Sequence, residues 1–506
     1  TIGNSGGAIV TNTNATLAIP TGDVMTINSG SIFYAGANVI NGAGTFTLSS
    51  GGTLGIGSSG GIAAVGTNSG NVQTTTARNY NTGANYIYNG TVNQAEGNGL
   101  PATVNNLTID NTGGGGSNTV TMQSNVSVTS NLSVLNGVLD LVTFTANRSA
   151  AGGTLTVSNG ASLIIGGTNT LPSNYSTHSI GNTSTIEYAG TTNVVAALNS
   201  GQSYGNLVIS ASGATTTNSF SVVRTLTVSG SLVASAGTVT MSNVLSSIDN
   251  SGTLSFFNLT VSATPTSQSQ YNTSFTVSGA LSTSGAINFS PAGGTITMSG
   301  SSGSISNASG TLAFNNLTVS GTTVSSTGNF SVVSTMSVTG VFNPSATSII
   351  SGAGTLSGTG TVNVTRTAAT PSLAGQYTIT NKTLGSLTVN YNGAGAQTVS
   401  AADYGTLVIS TNGTRTVTFV NGGTVRVSNV FTPTATTTTY VVTGNTFEYN
   451  GSGAQTITAF TYNNLIISNA GAKTVLAGTT VNCQTVEIND NAVLTLPDTS
   501  VLNVQG

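Results

Sequence analysis

The chain has 506 residues, of which 8 are Lys or Arg and 11 are Asp or Glu, so charged residues make up only 4% and the net charge is -3. An ordinary globular domain is about 25% charged. Hydrophobic residues make up 37%, which argues against a disordered chain, because disorder combines low hydrophobicity with high net charge. The few basic residues are spread along the chain and form no patch for phosphates, so we expect no nucleic-acid partner.

The composition disfavours helices and membrane spans as well. Thr, Ser, Asn and Gly stand where a surface helix would carry Glu, Lys, Arg or Gln. Polar residues or Gly interrupt every apolar run well before the roughly 20 residues of a membrane helix. The lone Cys483 lies in an apolar alternation, which predicts a buried thiol. The first and last residues of the sequence resemble the middle of a repeat, so we expect the chain to be a piece of a longer protein.

In chain order, the sequence is built from short segments of four to six residues that alternate between polar and apolar side chains and end at Gly, Asn or Ser. Residues 225–230 and 294–300 are two examples. Alternation with period two, bounded by turn formers, predicts β-strands. The short spacers leave no room for helical crossovers, so the sequence predicts an all-β chain with essentially no helix.

A longer repeat is anchored on a leucine that is followed two residues later by Ile or Val. Spacing of two places both side chains on one strand face, so we expect them to point into a core. The seven pairs are Leu107 and Ile109, Leu207 and Ile209, Leu259 and Val261, Leu317 and Val319, Leu387 and Val389, Leu407 and Ile409, and Leu465 and Ile467. A large apolar residue stands three positions before each leucine, namely Val104, Tyr204, Phe256, Phe314, Leu384, Tyr404 and Tyr462. We expect the aromatic members of this set to form an internal stack rather than a platform for sugars.

Longer matches between segments of the sequence indicate the architecture. Residues 391–410 match 449–468 without a gap at an offset of 58, and Leu387 and Leu407 are only 20 residues apart. A step of 20 residues is too short for a sandwich domain with its own core, whereas a solenoid accepts it as one coil. The sequence therefore predicts a parallel β-solenoid (β-helix) with coils of irregular length, and tandem β-sandwich domains are the alternative.

Three blocks are distinguished by charge and repeats. Residues 1–185 form an N-terminal solenoid part, 186–365 an uncharged repeat block, and 366–506 a C-terminal block that contains the 58-residue duplicate. Between Arg224 and Arg366 the only charged residue is Asp249. We expect the three blocks to form one continuous rod.

The string TIEYAG at residues 185–190, and the pattern YNGxGAQT followed by YxxLxIS in residues 391–410 and 449–468, resemble the repeat regions of giant secreted surface proteins and adhesins of Bacteroidota. Such proteins are cargo of the type IX secretion system, and some serve gliding motility. The resemblance covers most of residues 80–506. It implies an extracellular or cell-surface location, and partners among extracellular surfaces or glycans, the secretion and anchoring machinery, and further copies of the chain in filaments.

Several matches to catalytic motifs are attributed to chance. His178 is the only histidine, and we expect it to be a plain loop residue rather than part of a Ser-His-Asp or metal site. Residues 3–7 and 57–61 match the nucleophile-elbow pattern, and 55–60 match the dinucleotide fingerprint. Both motifs need a following helix, which this composition does not provide.

The charged residues recur at equivalent repeat positions, which favours structural roles. Glu187 and Glu448 each precede a tyrosine of the repeat, and Arg415 and Lys473 are equivalent across the 58-residue offset. We expect the two cations to pair with acids of neighbouring coils. A calcium ion at residues 487–490 has no supporting motif. We therefore predict no catalytic, cofactor-binding or metal-binding residues.

The function expected from these observations is that of a structural shaft, without enzymatic activity, in a secreted or cell-surface adhesin or filament that attaches multivalently. A glycan-processing β-helix enzyme (lyase or hydrolase) is the main alternative, although its chemistry needs clustered acids and bases. A phage or trimeric fibre is the third. The Thr-rich run at 436–439 raises ice binding as a minor option, because irregular coils argue against the flat Thr array that ice binding requires.

Overall fold

The structure is a computed structural model, and it describes residues 1–3, 7–199, 201–262, 268–289, 293–367, 370–410, 412–433, 438–489 and 491–506. The chain divides into two compact units, Thr1–Ser255 and Phe256–Gly506. Both are parallel β-solenoids, and together they contain about 23 turns. The predicted fold class is confirmed, and the alternative of tandem sandwiches is wrong, because sandwich domains are built from antiparallel sheets.

In the first unit, equivalent strands of successive coils pair with one another and form rows. One long row contains Ile9–Thr11, Ile32–Tyr34, Thr53–Ile56, Asn85–Tyr88, Asn106–Asp110, Leu132–Asn136, Gly152–Val157 and Tyr175–Ile180. The other contains Gln94–Ala95, Thr119–Thr121, Val138–Asp140, Ser162–Ile165, Thr185–Tyr188, Asn206–Ile209, Thr225–Val228 and Ser247–Asn250. Shorter rows contain Thr16–Ala18 and Val39–Asn41; Val24–Ile27, Thr45–Leu48 and Ala77–Tyr80; Thr103–Val104, Val126–Val128 and Ala146–Asn147; Ala214–Thr216, Ser231–Ala234 and Thr253–Phe256; and Phe220–Val222 and Thr238–Met241.

The second unit is organised in the same way. One row contains Phe275–Val277, Thr295–Met298, Leu312–Val319, Phe330–Val338, Thr355–Gly358 and Asn381–Lys382. Two short strands also pair with members of this row: Ile287–Phe289 with Leu312–Val319, and Ile350–Ser351 with Phe330–Val338. The longest contains Asn258–Val261, Ala280–Thr283, Gly303–Asn307, Val324–Thr327, Val341–Pro344, Thr361–Val364, Thr388–Tyr391, Thr406–Ile409 and Phe431–Pro433. The remaining rows contain Ala402–Tyr404, Thr424–Val427, Thr446–Tyr449, Asn464–Ile467 and Thr485–Ile488; Gln397–Val399, Arg415–Phe419 and Thr438–Val441; Gln455–Ile457, Ala472–Val475 and Val493–Thr495; and Thr480–Cys483 and Val501–Val504.

Helix is almost absent from the part of the chain that the structure describes. It contains one α-helix of five residues, Ser372–Gln376, and one 3₁₀ turn, Gln268–Tyr271. Pro371 precedes the α-helix in an extended conformation with φ -76° and ψ 149°. Proline is compatible with this N-cap position, because its missing N–H group would have no partner inside the helix anyway.

The chain closes one coil, and the next coil repeats its path. Asn85–Tyr88, Gln94–Ala95 and Thr103–Val104 make one coil, and Asn106–Asp110 then pairs in parallel with Asn85–Tyr88. Alternate residues of a strand point to opposite faces, so one set fills the core while the other faces solvent. Stacking therefore satisfies the backbone hydrogen bonds and buries the apolar set in the same step.

Close approach between coils explains part of the glycine content, which is 66 residues. Gly358 has a φ of +136°, a conformation that is strained for any residue with a side chain. A Cβ atom at this position would lie 1.9 Å from the carbonyl oxygen of Val338 in the neighbouring coil. The corner can therefore stack only when it carries glycine.

The leucine repeat points inward as predicted, because both members of all seven pairs are buried. One register is different, however. Leu407 stacks on Val389 and not on Leu387, so the coil step at this place is two residues shorter than the leucine spacing suggests. The three predicted blocks, 1–185, 186–365 and 366–506, remain a prediction.

Candidate functional site

The most regular chemical feature is a module of two coils, which we call the two-coil module. A strand that ends in a buried tyrosine pairs with a strand that carries the Leu and Ile of the repeat. In its four copies, Tyr88 stacks on Ile109, Tyr188 on Ile209, Tyr391 on Ile409, and Tyr449 on Ile467. The gapless sequence match revealed only the last two as duplicates, because residue identities in the other copies have diverged.

In three copies a second tyrosine completes a buried pair. The hydroxyl oxygens are 2.7 Å apart in Tyr449 and Tyr462, 2.9 Å in Tyr391 and Tyr404, and 3.2 Å in Tyr188 and Tyr204. The pair of Tyr449 and Tyr462 also holds the backbone of Thr458. The N–H of Thr458 donates to the hydroxyl of Tyr449, and its carbonyl accepts from the hydroxyl of Tyr462. Tyr204, Tyr404 and Tyr462, which stand three positions before a repeat leucine, are internal as predicted, since their rings are buried.

A buried glutamine fixes the corner that follows the tyrosine. Gln397 accepts a hydrogen bond from the N–H of Gly393 and donates from Nε2 to the carbonyl of Val364, at 3.0 and 2.7 Å. Gln455 and Gln94 make the same pair of contacts in their copies. The Gln side chain therefore ties each corner to the previous coil.

The two equivalent cations do not pair with acids, and the prediction that they would is wrong. Lys473, which is 0% exposed, donates from Nζ to the carbonyl oxygens of Gly451 at 2.7 Å and Gly453 at 3.1 Å. Arg415 donates to the carbonyls of Gly393 and Tyr391 and to Gln397. Burial lowers the pKa of both groups. At each of these two corners, several backbone carbonyl groups point towards one position. The cation at that position neutralises their combined partial negative charge.

Replacing Lys473 with Met is expected to lower the free energy of unfolding by roughly 1 to 3 kcal/mol, because buried carbonyls lose a charged donor. Replacing it with Arg should be tolerated, since Arg415 fills the equivalent position. Urea denaturation of the three proteins measures the difference. A Met variant as stable as the unaltered chain would show that these carbonyls find other partners.

The acids of the repeat lie on the outer face. Glu448 accepts hydrogen bonds from Arg426 at 2.8 Å and from the hydroxyl of Ser468 at 2.6 Å, and Asp403 pairs with Arg426 from the other side at 3.1 Å. Glu187 accepts from the hydroxyl of Ser210, which is the counterpart of Ser468. The two glutamates thus share one contact to the next coil, in line with the structural role predicted for them.

His178 and Cys483, the other residues with side chains suited to catalysis or metal binding, lie in separate places. His178 does not lie in a loop as predicted, because it belongs to the strand Tyr175–Ile180 and stacks on Leu155. It is 8% exposed, its Nδ1 accepts from the N–H of Asn199, and burial lowers its pKa. Cys483 is buried as predicted, which raises the pKa of its thiol.

The motif matches have no catalytic context in the described residues. In residues 57–61, the N–H groups of Gly57 and Ser58 donate to Asn71, and no helix follows. Residues 4–6 of the other elbow match lie outside the described residues, and so does Asp490 of the 487–490 segment. Glu487 is exposed and accepts from Asn489. Among the described residues, no group of three or more His, Cys, Asp and Glu side chains is placed to hold a metal ion.

Sequence reasoning missed two buried charges in the first unit. The carboxylate of Glu96, which is 1% exposed, accepts from the N–H of Gln123 and from the N–H and hydroxyl of Ser124, and burial raises its pKa. Arg78 donates to backbone carbonyls of residues 63–74. Each charge anchors a long connecting segment. Glu96 has Val399 and Ile457 at the equivalent positions of two other copies, so no recurring charge could have revealed it.

The outer face of the second unit carries an array of small polar side chains in consecutive coils, which we call the hydroxyl array. One column contains Thr276, Thr297, Thr318, Ser337 and Ser357, and the adjacent column contains Thr295, Asn316, Thr335 and Thr355. Successive members of a column are 19 to 21 residues apart, so these coils are nearly uniform. All nine side chains are partly exposed. The hydroxyls have no hydrogen-bond partner among the described residues.

In a neighbouring row, polar side chains of successive coils form a ladder of hydrogen bonds with one another. The hydroxyl of Ser410 donates to Asn390, the amide of Asn390 donates to Asn363, and that of Asn363 donates to Asn343, at distances of 2.6 to 3.1 Å. These side chains use their hydrogen bonds on one another. In the hydroxyl array, the amide of Asn316 donates to the carbonyls of Gly293 and Gly294, whereas the eight Thr and Ser hydroxyls have no such partner among the described residues and can bind an external partner or water.

Comparison with protein families, curated proteins and solved structures gave no match to this chain. In the described parts of the chain, no helix has both the length and the apolar character needed to cross a membrane.

Proposed function

We propose that the chain is the structural shaft of a secreted or cell-surface adhesin or filament. The observation that carries this proposal is the parallel pairing of coil on coil within each unit. In such a stack every inner strand is hydrogen-bonded on both edges, so resistance to local opening accumulates along the stack. The buried cations and glutamines of the two-coil module support the same role, since they hydrogen-bond to the backbone of the corners at which a coil could open.

The attachment of this shaft is multivalent and uses the neutral outer faces. Thr, Ser and Asn recur there at equivalent positions, so one type of weak contact is available many times along the chain. The partners are extracellular surfaces or glycans, with the secretion and anchoring machinery and further copies of the chain as additional partners. The resemblance to type IX secretion cargo of Bacteroidota, including gliding adhesins, supports the extracellular location.

Adhesion should increase steeply when the number of coils is doubled. Beads coated with the full chain are compared with beads coated with the same number of tandem fusions of two full chains, on a panel of immobilised glycans and cell surfaces. Linked sites bind the second contact intramolecularly, so we expect retention to rise by roughly tenfold or more. Retention that only doubles with the fusion would contradict multivalent attachment.

The same panel distinguishes the shaft from a glycan-processing enzyme. Each polysaccharide is assayed for turnover by the full chain and by Glu187→Gln and Glu448→Gln. We expect no turnover with any of the three proteins. Turnover that either substitution abolishes would replace the structural role with the enzymatic one.

A further inference from the structure

We propose that the hydroxyl array of the second unit binds ice, so that crystalline water is one surface to which this chain attaches. The inference rests on the proposed function in one respect, namely that attachment uses an outer face of the solenoid. It starts from the geometry of the array. Rungs of a solenoid are about 4.8 Å apart and alternate residues of a strand about 6.6 Å apart, so the two columns form a rectangular grid with these periods.

A partner that engages many members of such a grid must itself repeat on the same scale. The registers Asn316 with Thr335 and Thr318 with Ser337 follow one another without a shift, so the grid is unbroken over these coils. Uniform steps of 19 to 21 residues keep the outer face level from rung to rung. The irregular coil lengths that argued against a flat array thus do not apply in this part of the chain.

The partner must also be neutral. Residues 250–365 contain no Asp, Glu, Lys or Arg, so no fixed charge faces a ligand from these coils. Salt bridges and phosphate contacts are therefore excluded as a source of affinity for this surface. Recognition depends on hydroxyl groups, which donate and accept, and on the threonine methyl groups beside them.

The chemistry of the array favours ice over a polysaccharide among neutral periodic solids. Binding of a sugar ring uses an exposed aromatic face, but within the array the rings of Phe275, Phe314 and Phe330 are buried. The exposed ring of Phe257 precedes the first rung of the array. The faces of water crystals offer both donors and acceptors at regular intervals, which suits hydroxyls that lack protein partners. Methyl groups at fixed spacing order the water between them, because apolar surface restricts the orientation of adjacent water molecules.

Partition into a growing ice front tests the proposal with the full chain. A solution of the protein is frozen slowly on a cold finger, and the fraction found in the ice is compared with that of an inert protein. Ice crystals in the solution are also inspected for faceting. We expect enrichment in the ice and faceted crystals. A bulky residue in the array, Thr318→Tyr, should reduce the enrichment at least severalfold, because the ring lifts the grid away from the ice.

Thr327→Tyr is the matched control, since Thr327 is an exposed outward residue in the same unit but on another row. It should leave the enrichment unchanged. Thr297→Val, which conserves volume and removes one hydroxyl, provides a second test should Thr318→Tyr fail to fold, and it should lower the enrichment. Exclusion of the unaltered chain from ice, or equal losses at positions 318 and 327, would overturn the proposal. A chain that is excluded from ice and still adheres to glycans would leave the shaft proposal standing.

Discussion

Replacing Leu317 with Ala is expected to lower the free energy of unfolding by roughly 2 to 5 kcal/mol, which is the cost of a cavity in a packed core. Leu317 is 0% exposed and is stacked between Ile296 and Met336 of the adjacent coils. Neighbouring coils hold their backbones at hydrogen-bonding distance, so the space left by the side chain cannot collapse. Urea denaturation monitored by circular dichroism measures the loss.

Two companion variants make this expectation specific to the inward register. Thr318→Ala removes an outward side chain from the same strand and should change the free energy of unfolding by about 0.5 kcal/mol or less. Leu317→Met conserves volume and should cost less than about 1.5 kcal/mol, since the same column already contains Met336. Equal losses for the two alanine variants would mean that the strand does not bury the leucine.

The fold could be predicted because each of its requirements leaves a local mark in the sequence. Alternation marks the strands, glycine marks corners such as Gly358, and the scarcity of charge is compatible with stacking like residues on one another. Register leaves no such mark. Leu387 and Leu407 look equivalent by their neighbours, yet Val389 stacks on Leu407, because the length of the loop between them decides the pairing.

The roles of the charged residues were predictable only in part. Glu187 and Glu448 recur beside a tyrosine, and their shared contact to a serine follows from that equivalence. Lys473 recurs with Arg415, but its partners are backbone carbonyls. Every residue has a backbone carbonyl group, so no sequence pattern can predict where several carbonyl groups point towards one position.

The hydroxyl array shows a third limit. Leucine spacings taken over the whole chain are irregular, which suggested that no level face exists. Irregularity is confined to particular coils, however, whereas the coils from Thr276 to Ser357 are nearly uniform. An average over the chain therefore concealed the uniform coils on which the proposal of ice binding is based.

The chain is expected to unfold cooperatively in alkali, just above the usual pKa of tyrosine, which is about 10. Burial raises the pKa of eight enclosed tyrosines, which are Tyr88, Tyr188, Tyr204, Tyr377, Tyr391, Tyr404, Tyr449 and Tyr462. Above pH 10 the unfolded state loses protons that the folded state retains. Stability is therefore complete below the unfolded pKa and falls as the pH rises towards the folded pKa.

The effect is large because the tyrosines act together. Each one contributes a slope of about 1.4 kcal/mol per pH unit, so the eight together make the stability fall steeply above pH 10. Burial lowers the pKa of Lys473 and Lys382, so these lysines contribute with the opposite sign, and the eight tyrosines outweigh the two lysines.

Titration with base, followed by circular dichroism and by the absorbance of ionised tyrosine, tests this expectation. Both signals should change together, in a transition narrower than that of a single ionising group. In Tyr391→Phe the hydrogen bond to Ser400 is lost, which should cost about 1 kcal/mol at neutral pH, while the slope above pH 10 becomes shallower. Tyrosines that ionise gradually while the dichroism stays constant would contradict their burial, and with it the role of the tyrosine pairs in holding one coil on the next.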